Sequence, residues 1–206
     1  PSPVPYPLFL FAGVLPWLLA TGALLDSAVV LPDNGPLLKK VGCPPEVFPA
    51  VTVCSHLVHH LLALPVLLGV MIAYAVAGKL AFPWTLALLP LVLLLWVVTA
   101  GGLALAVSAL AVHFRDLKDL LHNVLNLLFF MTPIIYTPDV VPAGVLRQIV
   151  SANPATPLVL LYRGVAVEGR VPPAAVWGWA IVVAGVSWAI GAFVFKRLRD
   201  SIAETV

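Results

Sequence analysis

The sequence predicts an all-α protein that crosses a membrane several times. Hydrophobic residues make up 62% of the 206 positions and charged residues only 10%, against roughly 25% charged residues in a soluble domain. The mean hydropathy of +1.08 leads to the same class. Five apolar segments approach or exceed the ~20 helical residues that a bilayer requires. They are Leu8–Leu31, Val47–Ala77, Trp84–Val112, Leu120–Ile135 and Ala174–Phe195.

The first three spans contain residues that disturb a regular helix. Pro16 and Pro65 each remove a backbone hydrogen bond inside a span and predict a kink. Gly101 and Gly102 in the third span predict a weak point or a close contact with another helix. The second and third spans are long, so we expect them to tilt.

The fourth span is short and follows a charged turn. Asp116 is positioned to cap the new helix, and Asp119 lies in its first turn, where an acid is favoured. The span then runs into Thr132-Pro133 rather than into a simple loop.

Cationic residues fall mainly on one side of the spans. One side has Lys39, Lys40, Arg115, Lys118, Lys196, Arg197 and Arg199. The other side has four cations spread over much more chain, namely Lys79, Arg147, Arg163 and Arg170. Because cytoplasmic loops carry the excess of Lys and Arg, the first group marks the cytoplasmic side and places Pro1 outside.

The segment between the last two spans, residues 138–173, is neither a polar loop nor a full span. Pro142 can open a helix whose apolar residues repeat at helical spacing. Asn153-Pro154 then interrupts that helix.

A second short helix is predicted directly after this break. Thr156 is expected at its N-cap and Pro157 at its first position, which starts a helix over Leu158–Val167. Each helix has about ten residues and so reaches about half of a bilayer. The pair predicts a re-entrant hairpin on the external side, and the alternative is a pair of amphipathic helices lying on the membrane surface.

Two polar features lie inside the predicted spans. Asp26 is a carboxylate within the first span, where it needs protein, water or a cation beside it; pairing with Lys39 or Arg115, or snorkelling, is the expected arrangement. His56, His59 and His60 form an H-x-x-H-H pattern in the second span. His56 and His60 share a helical face, but no third ligand lies near them in sequence, so we predict no metal site.

Motifs for covalent chemistry and nucleotide binding are missing from the sequence. The Gly164–Gly169 spacing resembles a phosphate loop, but Arg170 follows it instead of Lys and Ser or Thr. Ser187 lies in Gly185-Val-Ser-Trp-Ala, which lacks the second glycine of a nucleophile elbow. The net charge of +2, without a basic run, excludes a nucleic-acid-binding protein. We therefore expect a protein without enzymatic activity or a cofactor of its own.

Several blocks of the sequence resemble one family in their order and spacing. They are the loop Asn34-Gly-Pro-Leu-Leu-Lys-Lys-Val, Phe114-Arg-Asp, Thr132-Pro-Ile-Ile-Tyr136 and Asn153-Pro-Ala-Thr-Pro157. The pattern resembles the membrane subunit of type-2 ABC exporters that move lipid-linked polysaccharides such as O-antigen and teichoic acid. The resemblance extends over essentially the whole chain.

This resemblance implies a single transmembrane domain over residues 1–206 of a prokaryotic plasma-membrane permease. It implies a homodimer whose conduit lies between the two copies, embedded in membrane lipid. Two copies of a separate ATPase would bind ATP and Mg²⁺ and drive export of a lipid-linked polysaccharide. It also implies that an N-terminal amphipathic helix and one further span precede Pro1, giving six spans.

The resemblance also implies roles for particular residues. Residues 33–48 would be the coupling loop that contacts the ATPase, through Asn34, Leu37, Lys39, Lys40 and Pro44. The cytoplasmic mouth would be shaped by Arg115 and Asp116, and the conduit exit would be lined by Phe129, Phe130 and Tyr136. The external gate would include Pro142, Asn153, Pro154, Pro157 and Arg163.

Three alternatives remain open from the sequence. A type-2 ABC exporter of drugs or lipids has the same architecture. A membrane enzyme or a metal- or haem-handling protein would use His56, His59 and His60. A membrane scaffold without transport is consistent with the missing catalytic motifs.

Overall fold

The computed structural model of the chain describes residues 4–41 and 43–205, and leaves the side chains of residues 39, 41, 200 and 203–205 undescribed. The described residues form helices and no strand, which confirms the predicted fold class. The α-helices are α1 (Tyr6–Asp33), α2 (Gly35–Val41), α3 (Val47–Val76), α4 (Leu89–Ala111), α5 (Leu117–Met131), α6 (Val145–Ala152), α7 (Ala155–Ala166) and α8 (Ala174–Thr205). Two short 3₁₀ turns lie at Trp84–Leu88 and Pro138–Val140.

Four helical segments of the described chain are long and apolar enough to cross a bilayer. They are Tyr6–Asp33, Val47–Val76, Trp84–Ala111 and Ala174–Arg199. They correspond to four of the five predicted spans, and α1 continues as one helix through Pro16.

The predicted span Leu120–Ile135 is not a fifth member of this set. Its helix, α5, has 15 residues and is therefore about 22 Å long, short of a bilayer. The helix ends at Met131 because Pro133 excludes helical geometry at the residue before it. Thr132 is accordingly extended, with φ −92° and ψ 137°.

Helix α1 lies at the centre of the bundle. It packs against α3, α4, α5 and α7, and Leu8, Ala12 and Leu31 along its length are fully buried. An apolar helix in the interior of the bundle is surrounded by protein on most sides, whereas α3 and α8 leave most of their surface for lipid.

The most extensive helix pair in the bundle, α4 and α8, depends on two glycines. A Cβ atom on Gly191 of α8 would overlap the backbone carbonyl of Gly102 in α4. A Cβ on Gly102 would in turn overlap the backbone of Ser187. Small residues let the two backbones approach within van der Waals contact, which is how helices commonly associate in membranes. The close helix contact predicted for this part of α4 is present.

We expect Gly191→Ala to destabilise the bundle, because the new methyl group overlaps the α4 backbone, and backbone cannot move aside as a flexible side chain can. The cost should be about 1–3 kcal/mol, as for other overpacked sites. Thermal unfolding of the purified protein in detergent measures it.

Gly185→Ala is the matched control, because Gly185 lies on the same helix and nothing is within 4 Å of its added Cβ. Equal melting temperatures for the two variants would show that α4 and α8 do not meet at Gly191.

Candidate functional site

Helix α7 is short and yet buried throughout most of its length. All residues from Thr156 to Ala166 are buried except Leu160, which is half-buried. A surface helix would expose one face, so the alternative of a surface helix is wrong for α7. Its burial follows from composition, because the helix carries only one charged side chain, Arg163.

The guanidinium of Arg163 is buried and satisfies the backbone at the end of α5. Its side chain is 1% exposed, and Nη2 donates hydrogen bonds to the carbonyl oxygens of Pro133 at 2.9 Å and Ile134 at 2.7 Å. These carbonyls follow a helix that ends inside the bundle, where water cannot supply donors. Arg163 therefore stabilises the turn that the proline imposes.

Helix α1 provides the surface against which Arg163 lies. The guanidinium carbon is 3.6 Å from the centroid of the Phe9 ring, in the geometry of a cation–π contact. A Cβ atom on Gly13 would come within 2.9 Å of Nη2. The small residue at position 13 thus makes room for the cation, and neither Phe9 nor Gly13 has a sequence signal that predicts this role.

The residue before Arg163 connects α7 to α3. The Tyr162 hydroxyl is 3.2 Å from Nε2 of His60, and Nδ1 of His60 is 3.4 Å from the carbonyl oxygen of Leu15 in α1. A carbonyl only accepts, so the neutral tautomer with hydrogen on Nδ1 donates to Leu15 and accepts from Tyr162. Both ring nitrogens of His60 are engaged by protein groups.

Two further side chains donate to the backbone of α7 from the third span. The Thr85 hydroxyl donates to the carbonyl oxygen of Val165 at 2.7 Å, and Trp96 Nε1 donates to that of Leu158 at 3.3 Å. Helix α7 is therefore fixed by α1, α3, the third span and the end of α5 together.

The junction between α6 and α7 is built around Asn153. Its Nδ2 donates to the Thr132 hydroxyl at 2.9 Å, and its Oδ1 accepts from the backbone N–H of Ala155 at 2.9 Å. The expected cap, Thr156, instead donates its hydroxyl to the carbonyl oxygen of Val150 at 2.6 Å. Helix α7 accordingly begins at Ala155, ahead of Pro157, and the N-cap role expected of Thr156 was wrong.

Helix α6 is the exposed part of this segment. Val145 is 72% and Leu146 57% exposed, whereas Val150 is buried. The helix begins at Val145, after Gly144 with φ 138°, so Pro142 precedes the helix and does not open it. Arg147 of α6 forms only an exposed ion pair of 3.4 Å with Asp139.

Asp26 pairs with a histidine. Its Oδ2 lies 2.7 Å from Nε2 of His56. The expected pairing with Arg115 is not formed, and the expected pairing with Lys39 falls on a side chain outside the described residues. A Cβ on Gly22 would overlap the His56 ring, so glycine at that position admits the ring beside α1. His56 is hydrogen-bonded to Asp26, and His60 is hydrogen-bonded to Tyr162. In the described part of the chain, no three potential ligands converge on a metal site.

The three aromatic residues proposed for the exit lie together near the end of α5. Phe129 packs edge-on against Trp17 of α1, with ring centroids 6.1 Å apart, and against Phe130 at 5.4 Å. Phe130 is 65% exposed. The Tyr136 hydroxyl donates to the carbonyl oxygen of Phe130 at 3.2 Å, and partial burial raises the pKa of this phenol.

The charged turn before α5 borders an open cleft of about 670 Å³ whose lining includes Arg115, Asp116, Asp119 and Asn123. Asp116 occupies the N-cap position of α5 but makes no side-chain capping bond, so the expected cap does not form. Its carboxylate remains available to the cleft.

The segment predicted to be the coupling loop contains the helix α2. Asn34 donates from Nδ2 to the carbonyl oxygen of Val30 at 2.8 Å and so ends α1. Leu37 and Lys40 are exposed on α2, and Pro44 is exposed after it. The side chain of Lys39 lies outside the described residues.

Comparison with known proteins identifies the family. The family model of the ABC-2 type transporter matches residues 46–166, from the start of α3 to the end of α7. The chain belongs to the ABC-2 type transporter family. With its four long apolar helices, it is a multi-pass protein of the prokaryotic plasma membrane.

Curated relatives match almost the whole chain. The O-antigen export system permease protein RfbA of Myxococcus xanthus is 31% identical over 204 residues, which cover 98% of this chain and 76% of the relative. Two Klebsiella pneumoniae proteins of the same name are 25% and 26% identical, each over 97% of this chain and 75% of the relative.

We expect Arg163→Met to lower the stability of the protein by about 2–6 kcal/mol, because two buried carbonyls lose their donors at about 1–3 kcal/mol each. Arg163→Lys should recover only part of this loss, since an ammonium lacks the planar fork and the stacking surface of arginine. The melting temperatures of both variants and of the unaltered protein in detergent measure these differences.

Arg147→Met is the matched control, because an exposed ion pair contributes about 0–1 kcal/mol. If Arg163→Met unfolds at the temperature of Arg147→Met, the buried bonds to the end of α5 are not a stabilising contact.

Proposed function

We propose that the chain is the permease subunit of an ATP-driven exporter that carries a lipid-linked polysaccharide of the O-antigen class across the prokaryotic plasma membrane. The observation that carries the proposal is the match to the M. xanthus O-antigen export permease over 98% of this chain. The ABC-2 family match supports the same architecture. No relative named here supports the drug- or lipid-exporter alternative.

ATP hydrolysis belongs to a separate subunit in this proposal. The Gly164–Gly169 spacing cannot serve as a phosphate loop, because Gly164 is inside α7 and buried. A phosphate loop instead needs exposed backbone N–H groups after a strand and before a helix. Two ATPase copies, each binding ATP and Mg²⁺, would act on two copies of this chain with the conduit between them.

The contact with the ATPase is proposed to be the coupling segment, residues 33–48. Exposed Leu37 and Lys40 on α2 present an apolar and a cationic side chain on the predicted cytoplasmic side. A short helix outside the membrane that lies between α1 and α3 in the chain is a suitable element for transmitting a movement into both spans.

The external end is proposed to open through α6 while α7 stays in place. Helix α7 receives two side-chain hydrogen bonds from the third span and donates through Arg163 to the end of α5. Helix α6 packs chiefly against α7 and the Pro138–Val140 turn. Separating α6 therefore breaks few contacts, whereas separating α7 would leave several buried polar groups unpaired.

The metal- or haem-handling alternative has less support. Both nitrogens of His60 are occupied by Tyr162 and Leu15, and His56 is turned toward Asp26. No observation favours the alternative that the protein is a membrane scaffold without transport.

Deletion of the gene in the native host tests the substrate class. Surface glycan should disappear and lipid-linked glycan should accumulate inside, and a plasmid carrying the gene should reverse both effects. Immunoblotting of surface glycan and extraction of the carrier lipid measure them. Unchanged surface glycan in the deletion strain would contradict the proposal.

The same strain tests the coupling segment. Lys39→Glu with Lys40→Glu should fail to restore export, since like charges at an interface oppose association with the ATPase. Lys196→Glu with Arg197→Glu is the control, because it makes the same charge change on the cytoplasmic side outside α2. Equal export by the two double variants would rule out α2 as the contact.

A further inference from the structure

Helix α8 does not end where its apolar span ends. The predicted span stops at Phe195, yet the helix continues to Thr205 without interruption. Phe195 and Ile202 are buried at 3% and 1% exposure in one cluster with Leu31 of α1 and Ala109 of α4. The cytoplasmic end of α8 is therefore a docked part of the bundle.

Partly buried residues extend this cluster toward the coupling segment. Leu38 of α2 and Phe48 of α3 pack against it, as does Val112 at the end of α4. The buried end of α8 thus shares one apolar cluster with residues of the coupling segment and of the end of α4.

An ion pair connects α8 to the coupling segment. Nε of Arg199 lies 3.3 Å from Oε1 of Glu46, the residue immediately before α3. Both side chains are partly exposed, so the pair adds at most a small amount to folding stability. The apolar cluster holds the helix in place, and the ion pair fixes the position of Glu46 relative to it.

A hydrogen bond connects α8 to the charged turn. Nε2 of His113 lies 2.9 Å from the Ser201 hydroxyl, and Nδ1 of His113 lies 3.2 Å from the carbonyl oxygen of Ala109. Nδ1–H must donate to that carbonyl, so in the neutral ring Nε2 accepts from the serine. His113 begins the stretch that lines the cytoplasmic cleft with Arg115 and Asp116.

We propose that Phe195, Arg199, Ser201 and Ile202 on one stretch of α8 form a strut that holds the coupling segment and the cytoplasmic mouth in fixed relation, with Arg199 and Glu46 as positioning residues for transport. A displacement that the ATPase imposes on Glu46 is passed through α8 to His113 and the cleft. The inference rests on the proposed function, since it assumes that residues 33–48 receive the ATPase.

Charge reversal separates this role from folding. Glu46→Arg and Arg199→Glu each place like charges together, whereas the double variant restores an opposite pair with the positions exchanged. Arg197→Glu is the matched control: Arg197 is exposed, lies two residues from Arg199 and has no ion pair within the described chain. It also removes one cytoplasmic cation, so it controls for membrane orientation.

The measurements are the ATPase rate of the purified permease–ATPase complex and the glycan exported per ATP hydrolysed, both normalised to permease in the membrane. Each single reversal should lower export per ATP about fivefold, within the range by which residues along a coupling route act. The double variant should recover most of the loss, and Arg197→Glu should match the unaltered protein.

Three results would overturn the strut. Single reversals that match Arg197→Glu would show that the pair has no role, and a double variant that fails to recover would show that the pairing itself is irrelevant. Loss of the single variants from the membrane would assign the pair to folding. If the deletion strain exports its glycan normally, the proposed substrate class is wrong. The permease-dependent ATPase rate of the same variants then still tests whether the strut exists.

Discussion

The half of this membrane domain that contains α7 depends on one buried cation. Arg163 lies on a half-length helix inside the bundle and donates to two carbonyl oxygens at the end of α5, where a proline has ended the helix. Backbone carbonyls at such depth have no water to bond. The chain can turn there because the guanidinium supplies the donors, and because Phe9 and Gly13 of α1 form a site for its charge and its volume.

Helices α7 and α6 differ in how firmly the rest of the bundle holds them. Helix α7 is bound to α3, the third span and the end of α5 through hydrogen bonds, and to α1 through the contact of Arg163 with the Phe9 ring. Helix α6 is joined to α7 through Asn153 and exposes most of its apolar surface. On the cytoplasmic side, α8 joins the coupling segment to the charged turn before α5. A transport cycle in this fold would thus move α6 and the cytoplasmic segments around a stationary α7.

Composition and periodicity were enough to predict the fold class and four of the long helices, because bilayer insertion depends on the summed hydropathy of a segment. The end of α5 was predicted at Ile135 instead of Met131 because hydropathy continues through Ile134 and Ile135, whereas Pro133 stops the helix. The extension of α8 was missed because Lys196 and Arg197 interrupt the apolar run without interrupting the helix.

The polar partners were the least predictable part. His56 lies 30 positions from Asp26, and Tyr162 lies 102 positions from His60, so no local pattern connects them. Lys39 and Arg115 were expected beside Asp26 because charge and predicted topology were the only guides. Gly13 and Gly22 leave the space in which the side chains of Arg163 and His56 approach α1. A glycine can occur in a span for several structural reasons, and a single sequence does not show which reason applies.

The central claim is that α7 is a stationary, buried half-helix beside an exposed α6. The most direct test is thiol labelling from the external side, with Cys43 and Cys54 replaced by serine and one cysteine introduced at either Gln148 of α6 or Leu161 of α7. Gln148 is exposed and Leu161 fully buried. An impermeant maleimide should label Gln148→Cys rapidly and leave Leu161→Cys unlabelled, both at rest and during ATP hydrolysis. Labelling of Leu161→Cys at the rate of Gln148→Cys in the resting protein would contradict the account.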